Sequence, residues 1–330
     1  METINQFRSK NLLVTGGAGF IGSNFIKYLF EKYQDLKIFN LDLLTYAGSE
    51  ENTVSFINKK NYKFIHGDIC NYNLVDEIFK KYSIDGVINF AAESHVDNSI
   101  KFPDIFINTN VNGTFNLLKC CFNNWMISPG LFKKGFEKAR FHQVSTDEVY
   151  GSIANGSFDE KSTYNPNSPY SASKASADLL VRSFTKTYSL DSTISVCSNN
   201  YGPNQNQEKL LPKLLSFLKS GKRFPLYGKG ENIRDWIHVD DHCNAIDLIF
   251  NFSEIGEKFN IASGQEYSNI QIINYLNSIA KLKLNFDYVV DRFGHDFRYS
   301  IKTDKIKNQL NWKPKSNILD YLKNQILQLQ

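Results

Sequence analysis

The chain has 330 residues, 42% hydrophobic and 22% charged, the balance of an ordinary globular protein long enough to bury a sizeable core. Its 38 basic and 34 acidic residues leave a formal charge of +4, too slight to argue for nucleic acid or an anionic membrane surface as partner. No run approaches the roughly 18 uninterrupted apolar residues of a spanning helix. Five cysteines without Cys-x-x-Cys spacing suit reduced thiols better than a disulfide framework.

The opening "METINQFRSK" carries no apolar signal core, so a cytoplasmic protein is expected. Next, "NLLVTGG" (11–17) predicts a strand running into glycines. "GFIGSNFIKYLFEKY" (19–33) predicts a helix with Phe20, Phe25, Ile26 and Leu29 on one face. "KIFNLD" (37–42), "YKFIHGD" (62–68), "GVINFAA" (86–92), "FHQVST" (141–146) and "TISVCSNN" (193–200) read as further apolar strands. Amphipathic segments such as "NLVDEIFKKY" (73–82) and "NTNVNGTFNLLKCCF" (108–122) lie between them. Near-continuous apolar strands separated by helices predict a parallel sheet covered on both faces, an α/β doubly wound domain of the Rossmann type.

After about residue 200 the alternation breaks up. Turn-rich sequence over 201–236 surrounds one helix, "WIHVDDHCNAIDLIF" resumes a strand and helix, "KFNIASG" is another short strand and "NIQIINYLNSIAKL" a helix. The expected division is a sheet domain over 1–200 and 236–264, with a smaller mixed α/β lobe over 201–235 and 265–330. Polar residues gather at the carboxyl ends of the predicted strands, where open parallel sheets bind ligands.

Three stretches carry chemistry. "TGGAGFIG" (15–22) places Gly16, Gly19 and Gly22 between a strand and a helix, where glycine lets backbone approach a pyrophosphate resting on the helix N-terminus. Asp42, 20 residues after Gly22, can accept from an adenosine ribose and would repel a 2′-phosphate, favouring NAD over NADP. Asp68 fits either an adenine contact or a helix cap. In "SPYSASKASAD" (168–178), Tyr170 and Lys174 stand one helical turn apart; an ammonium there favours phenolate, so that the phenol can take a proton from an alcohol as hydride leaves. In "STDEVYG" (145–151) two adjacent acids follow a buried strand, which makes sense where their environments hold them in opposite protonation states.

The glycine fingerprint followed by Tyr-x-x-x-Lys resembles the extended short-chain dehydrogenase/reductases. "STDEVYG", with "LLTYAG" (43–48), "AAESHVDNS" (91–99), "CSNNYGPNQNQEKLLP" (197–212), "GKGENIRDWIHVDDH" (228–242) and "DRFGHDFRYSI" (291–301), is similar to the nucleotide-sugar 4,6-dehydratases, dTDP-glucose-specific ones in particular. The resemblance covers nearly the whole chain. It implies a lyase that oxidises C4 of the sugar, eliminates water across C5 and C6, and returns hydride to C6, with NAD retained throughout. It assigns Thr146, Asp147 (acid), Glu148 (base), Tyr170 and Lys174 to catalysis. Around NAD it places Gly16, Gly19, Phe20, Ile21, Gly22, Asp42, Thr45, Asp68, Ile69, Ala91, Ala92, Ser94, Thr109, Tyr170, Lys174 and Asn200. Toward the nucleotide sugar it places Ser94, Thr146, Asn199, Lys209, Leu210, Pro225, Tyr227, Arg234, Asn269 and His295.

The resemblance also implies that the sheet domain binds NAD, that the lobe binds dTDP-glucose, and that the chain forms a homodimer through a bundle including the Tyr170 helix. UDP-glucose is an alternative substrate, and a nucleotide-sugar 4-epimerase an alternative enzyme; an epimerase has no use for the acid pair. His238, His242 and Cys243 lie close together but lack a second cluster, so no metal is expected.

Overall fold

The computed structural model describes residues 7–291 and 294–329. Its strands in chain order are β1 (Asn11–Thr15), β2 (Lys37–Asp42), β3 (Tyr62–His66), β4 (Gly86–Asn89), β5 (Met126–Ser128), β6 (Leu131–Phe132), β7 (Arg140–Thr146), β8 (Ser192–Cys197), β9 (Asn199–Tyr201), β10 (Phe224–Tyr227), β11 (Ile233–His238), β12 (Lys258–Ile261), β13 (Glu266–Ser268) and β14 (Phe286–Val289). The helices are α1 (Phe20–Lys32), α2 (Tyr72–Tyr82), α3 (Val96–Lys101), α4 (Pro103–Phe106), α5 (Thr114–Trp125), α6 (Pro169–Tyr188), α7 (Leu210–Ser220), α8 (Val239–Phe252), α9 (Asn269–Ile279), α10 (Asp304–Leu310) and α11 (Ile318–Leu329).

Seven strands form one sheet in the order β12-β8-β7-β4-β1-β2-β3, every neighbouring pair parallel. The chain winds outward from β1 to β3, then returns to start again at β4 on β1's other side, so the topological switch point lies between β1 and β4. Both faces are covered. Leu13 and Val87 pack with α2 and α5 residues such as Val75, Leu117 and Leu118, while Leu12, Val14 and Ile88 pack with Phe25 and Ile26 of α1 and Ile246 of α8. This successive burial on opposite faces explains why the strands read as unbroken apolar runs. Fully burying each such side chain contributes about 1.5–3 kcal/mol.

Beside the seven-stranded sheet stand a three-stranded sheet, β13-β11-β9, and the β10–β14 pair, with a cluster that includes Leu211, Leu214, Trp236, Ile272 and Leu322. The stretch predicted as one strand over 193–200 is two, because β9 leaves the main sheet after Cys197 and pairs with β11. β1 ends at Thr15 rather than 17, since Gly16 turns to φ +70°. The predicted helix over 108–122 begins as a π-helical stretch, Ile107–Gly113, before continuing as α5. Ile306 and Trp312, expected in the lobe, pack with Cys197, Phe259 and Ile261 against the sheet domain. Among the described residues no helix is long and apolar enough to cross a membrane, and all five cysteines are free.

Candidate active site

At the switch point the backbone itself makes the surface. A Cβ on Gly16 would stand 2.7 Å from the Ala91 nitrogen, and one on Gly22 would meet the Gly16 carbonyl oxygen at 2.3 Å, so both are required by close approach. Gly19 differs. It caps α1 without a side-chain hydrogen bond, and its Cβ would have only the carbonyl oxygens of Gly16 (3.2 Å) and Ala47 (3.8 Å) within 4 Å. The result is an uncapped helix N-terminus at the crevice, with the first-turn amides of Phe20, Ile21 and Gly22 and the positive end of the helix dipole directed at a would-be anion.

Asp42 stands beside it at the end of β2. One carboxylate oxygen accepts from the Ala18 amide and the other from the Leu44 amide, each at 2.8 Å, which fixes the acid and still leaves lone pairs for ribose hydroxyls. Uncapped amides, close-packed glycines and this carboxylate fit a dinucleotide without a 2′-phosphate. Thr45 lies in the following exposed loop, and Ala91, Ala92 and Ser94 follow β4. Thr109 is half-buried in the π-helical stretch, and Ile69 packs against Gly113. Asp68 accepts from the Cys70 amide at 2.8 Å and so closes a turn; the cap of α2 is Asn71. The Asn200 side-chain oxygen is 2.9 Å from Nδ1 of the fully buried His242, and its amide donates to the Ser198 carbonyl at 3.0 Å. Of the residues weighed for a metal, His238 caps α8 and Cys243 sits in the core beside Phe25 and Ile246.

β7 is buried throughout and delivers Thr146 to the crevice, where the chain turns through one 3₁₀ turn, Asp147–Tyr150. The turn gives the two carboxyls different surroundings. Asp147 is buried: Oδ1 accepts from the Thr146 hydroxyl at 3.4 Å, and Oδ2 has no partner among the described residues. Burial first, then the Glu148 charge, hold Asp147 well above the usual carboxylate range, outweighing Arg234. That shift favours the protonated form of Asp147. Glu148 lines a cavity, and its Oε2 accepts from the Tyr299 hydroxyl at 3.4 Å.

α6 begins with a Ser168–Ser171 capping box and Pro169 in its first turn, which starts the helix immediately before Tyr170. Tyr170 and Lys174 are both buried, and Thr146 stands close enough to the phenol to pull its pKa down against the larger upward causes. The Lys174 ammonium donates to the Val144 carbonyl at 2.6 Å. Burial lowers its pKa, with Asp178 foremost in opposing the shift. The expected lowering of the Tyr170 pKa does not follow from the chain's own groups. Burial, then Glu148 and Cys197, push the phenol well above its ordinary value, because the ammonium is held by a carbonyl while the acids stand close.

The cavity has a volume of about 230 Å³. Ser94, Asn199, Lys209, Leu210, Pro225, Tyr227, Arg234, Asn269 and His295 all line it; Thr146, Asp147, Tyr170 and Lys174 do not. Arg234 donates to the carbonyls of Ile233 (2.7 Å) and Asp296 (3.0 Å), and its guanidinium lies 4.1 Å from the Tyr299 ring centroid. Its hydrogen bonds go to no carboxylate among the described residues, so its charge remains available to an anion. Lys209 donates to the Ser94 carbonyl at 3.1 Å, and His295 is 2.6 Å from Asp291 Oδ1.

Sequence reasoning missed Glu208, paired with Lys209 and lining the cavity, and Tyr299, which links Glu148 to Asp296. Both sit inside quoted motifs, next to or four residues from an assigned residue, and that adjacency was the available signal. A larger groove of about 1050 Å³, beside α6 and β8, contains none of the predicted site residues.

A family model described as GDP-mannose 4,6 dehydratase matches residues 13–325. Low-salt glycan biosynthesis protein Agl12 of Haloferax volcanii is 43% identical over 313 residues, 94% of this chain and 96% of that one. A dTDP-glucose 4,6-dehydratase of Shigella flexneri is 43% identical over 321 residues, 92% of this chain and 88% of its own. Among solved structures, the dTDP-glucose 4,6-dehydratase DesIV of Streptomyces venezuelae, with NAD bound, superposes with a TM-score of 0.86 at 41% identity, covering 96% of each chain.

Proposed function

The chain belongs to the GDP-mannose 4,6-dehydratase family, and on that premise we propose that it is a dTDP-glucose 4,6-dehydratase, an NAD-dependent hydro-lyase producing dTDP-4-dehydro-6-deoxyglucose and water. One observation carries the reading. Neighbouring acids on one turn are separated into a buried carboxyl whose pKa is pushed up and a second carboxyl on the cavity wall, the pair an elimination needs and a 4-epimerase does not.

The glycine turn, the α1 N-terminus and Asp42 would hold NAD, with Tyr170 and Lys174 beside its reactive ring. Bound there, NAD supplies the hydride acceptor for C4, the hydride donor for C6, and added positive charge near Tyr170. The chain's residues manage protons. Tyr170 takes the O4 proton while Thr146 holds that oxygen, Glu148 takes the C5 proton made acidic by the new ketone and later returns it, and Asp147 gives its proton to the departing C6 hydroxyl. Per turnover Tyr170 gains a proton and Asp147 loses one, so one proton must cross between them. Thr146 stands on that route, near the Tyr170 phenol and 3.4 Å from Asp147 Oδ1. Arg234 and Lys209 offer charge to the diphosphate.

The same reading divides the chain into an NAD-binding part (1–200 and 236–264) and a sugar-nucleotide lobe, and makes it a cytoplasmic homodimer through α5 and α6. Phe115 and Leu179 are exposed there, with Ile105 and Ile107 nearby, which supports an apolar face closed by a second copy. Incubation with dTDP-glucose and, separately, UDP-glucose tests the reading through the alkali-induced absorbance of a 4-keto sugar. Product from dTDP-glucose at the higher kcat/KM is the expected result. Preference for UDP-glucose moves the assignment to that base, and epimerised product without a stable keto sugar ends it.

A further inference from the structure

One carboxylate on the catalytic helix has no part in this chemistry. Asp178 follows Lys174 by one turn of α6 and is buried. Ser145 on β7 donates to its Oδ2 at 2.6 Å, and Tyr164, in the connection between the acid turn and α6, donates to the same oxygen at 3.0 Å. Oδ1 has no partner among the described residues. Of the groups facing it, Lys174 comes from α6, Tyr150 from the acid turn, Tyr164 from the connection and Lys258 from β12, whose ammonium stands 3.5 Å from the Tyr164 hydroxyl. An acid in such a place is costly unless a buried cation uses it. Lys174, buried one turn away on the same helix, is the cation that pulls on it most, without a direct ion pair; its ammonium is bonded to the neutral Val144 carbonyl, which does not balance its charge.

We propose that Asp178 is the positioning residue that keeps Lys174 in its ammonium form and, through Ser145, fixes the strand end from which Thr146 and Asp147 project. The proposal rests on the roles of Tyr170 and Lys174 given above and extends them to a residue behind both. With Asp178 neutral, a desolvated ammonium lacks a counter-charge, sheds its proton, and ceases to favour the Tyr170 phenolate. Burial pushes the Asp178 carboxyl up to about 6 against the pull of Lys174, Ser145, Tyr164 and Lys258. C4 oxidation should therefore show an acid limb near that pH which belongs to Asp178.

The experiment follows single-turnover C4 oxidation on the NAD-loaded protein with dTDP-glucose, read as NADH absorbance from about pH 5 to 8. Asp178→Asn should slow oxidation about 10- to 100-fold near neutrality, leave KM within about twofold, and erase the acid limb. Tyr164→Phe, which removes one donor to the carboxylate, should move the limb up by as much as about one pH unit while leaving the rate above it near parental. A folded Asp178→Asn protein that keeps the parental limb overturns the proposal. If that variant does not fold, an unmoved limb in Tyr164→Phe overturns it instead. Parent that dehydrates dTDP-glucose while both variants match it defeats this inference alone; parent inert toward nucleotide sugars defeats the function reading itself.

Discussion

β1 and β7 reach the same crevice from the same sheet and end in opposite ways. β1 dissolves into glycines, so its working surface is backbone: amides of α1 and a turn whose close approaches exclude side chains. β7 ends in Thr146, Asp147 and Glu148, where the working surface is side chains and their usefulness depends on what covers them. The glycine turn is specified by what its residues lack, and one local sequence suffices for it. The acid turn is specified by burial, which no local sequence contains.

The largest test of that contrast removes both acids. Asp147→Asn with Glu148→Gln should lower dehydration by at least about 10⁴-fold, each group contributing about 10²- to 10⁴-fold, while NADH absorbance still reports C4 oxidation. Full dehydration by the double variant would break the comparison at its second half.

At the first half, Gly19→Val should fold, since φ is −79° and nothing closer than 3.2 Å opposes a Cβ. It should nonetheless weaken NAD binding about 100-fold, measured as cofactor retained through gel filtration, because its methyls occupy the cradle. Gly16→Val, at φ +70° and 2.7 Å from Ala91, should instead lower stability by about 1–3 kcal/mol or more. Equal cofactor loss with equal stability in the two variants would show that backbone fit and cofactor fit are not separable here.

The smallest effect concerns burial along β7 itself. His142 on β7 and His242 on α8 are fully buried, which lowers both to about 3. An unfolded imidazole titrates near 6.5, so below that pH only the unfolded chain gains these protons, and stability present above about 6.5 is lost as pH falls toward 3. Asp178, raised to about 6, acts in the opposite sense, its contribution being lost as pH rises from about 4 to 6. Asp147, also raised, acts in the same sense as Asp178, so the histidine contribution is read as a difference: between about pH 7 and 5 the parent should lose roughly 2 kcal/mol more stability, followed through Tm, than His142→Gln. Equal losses in the two would mean that β7 is wetter than its packing implies.

Much of the fold was legible because burial on both faces writes parallel strands as apolar runs: β2 matches its predicted span, and β1, β7 and α1 differ by one or two residues at their ends. The split of 193–200 was not legible. Nothing in "TISVCSNN" says that the chain changes sheets after Cys197, since that depends on β11, more than thirty residues on, being free to pair. All the predicted substrate contacts except Thr146 line one cavity, whereas Tyr299 and Asp178 escaped notice because their partners are distant in sequence.

The sequence by itself determined the alternation, the glycine turn and Asp42 beyond it, because these are local requirements of backbone geometry and strand burial. It also placed Tyr170 and Lys174 one turn apart, which helical pitch alone guarantees. Only the tertiary structure decided which of two adjacent acids is buried and pushed up in pKa, where the Lys174 ammonium spends its charge, and why Tyr170 stands high rather than low. Those are questions of desolvation and of charges brought together from separate strands, and solvent exclusion exists only once the whole chain has packed.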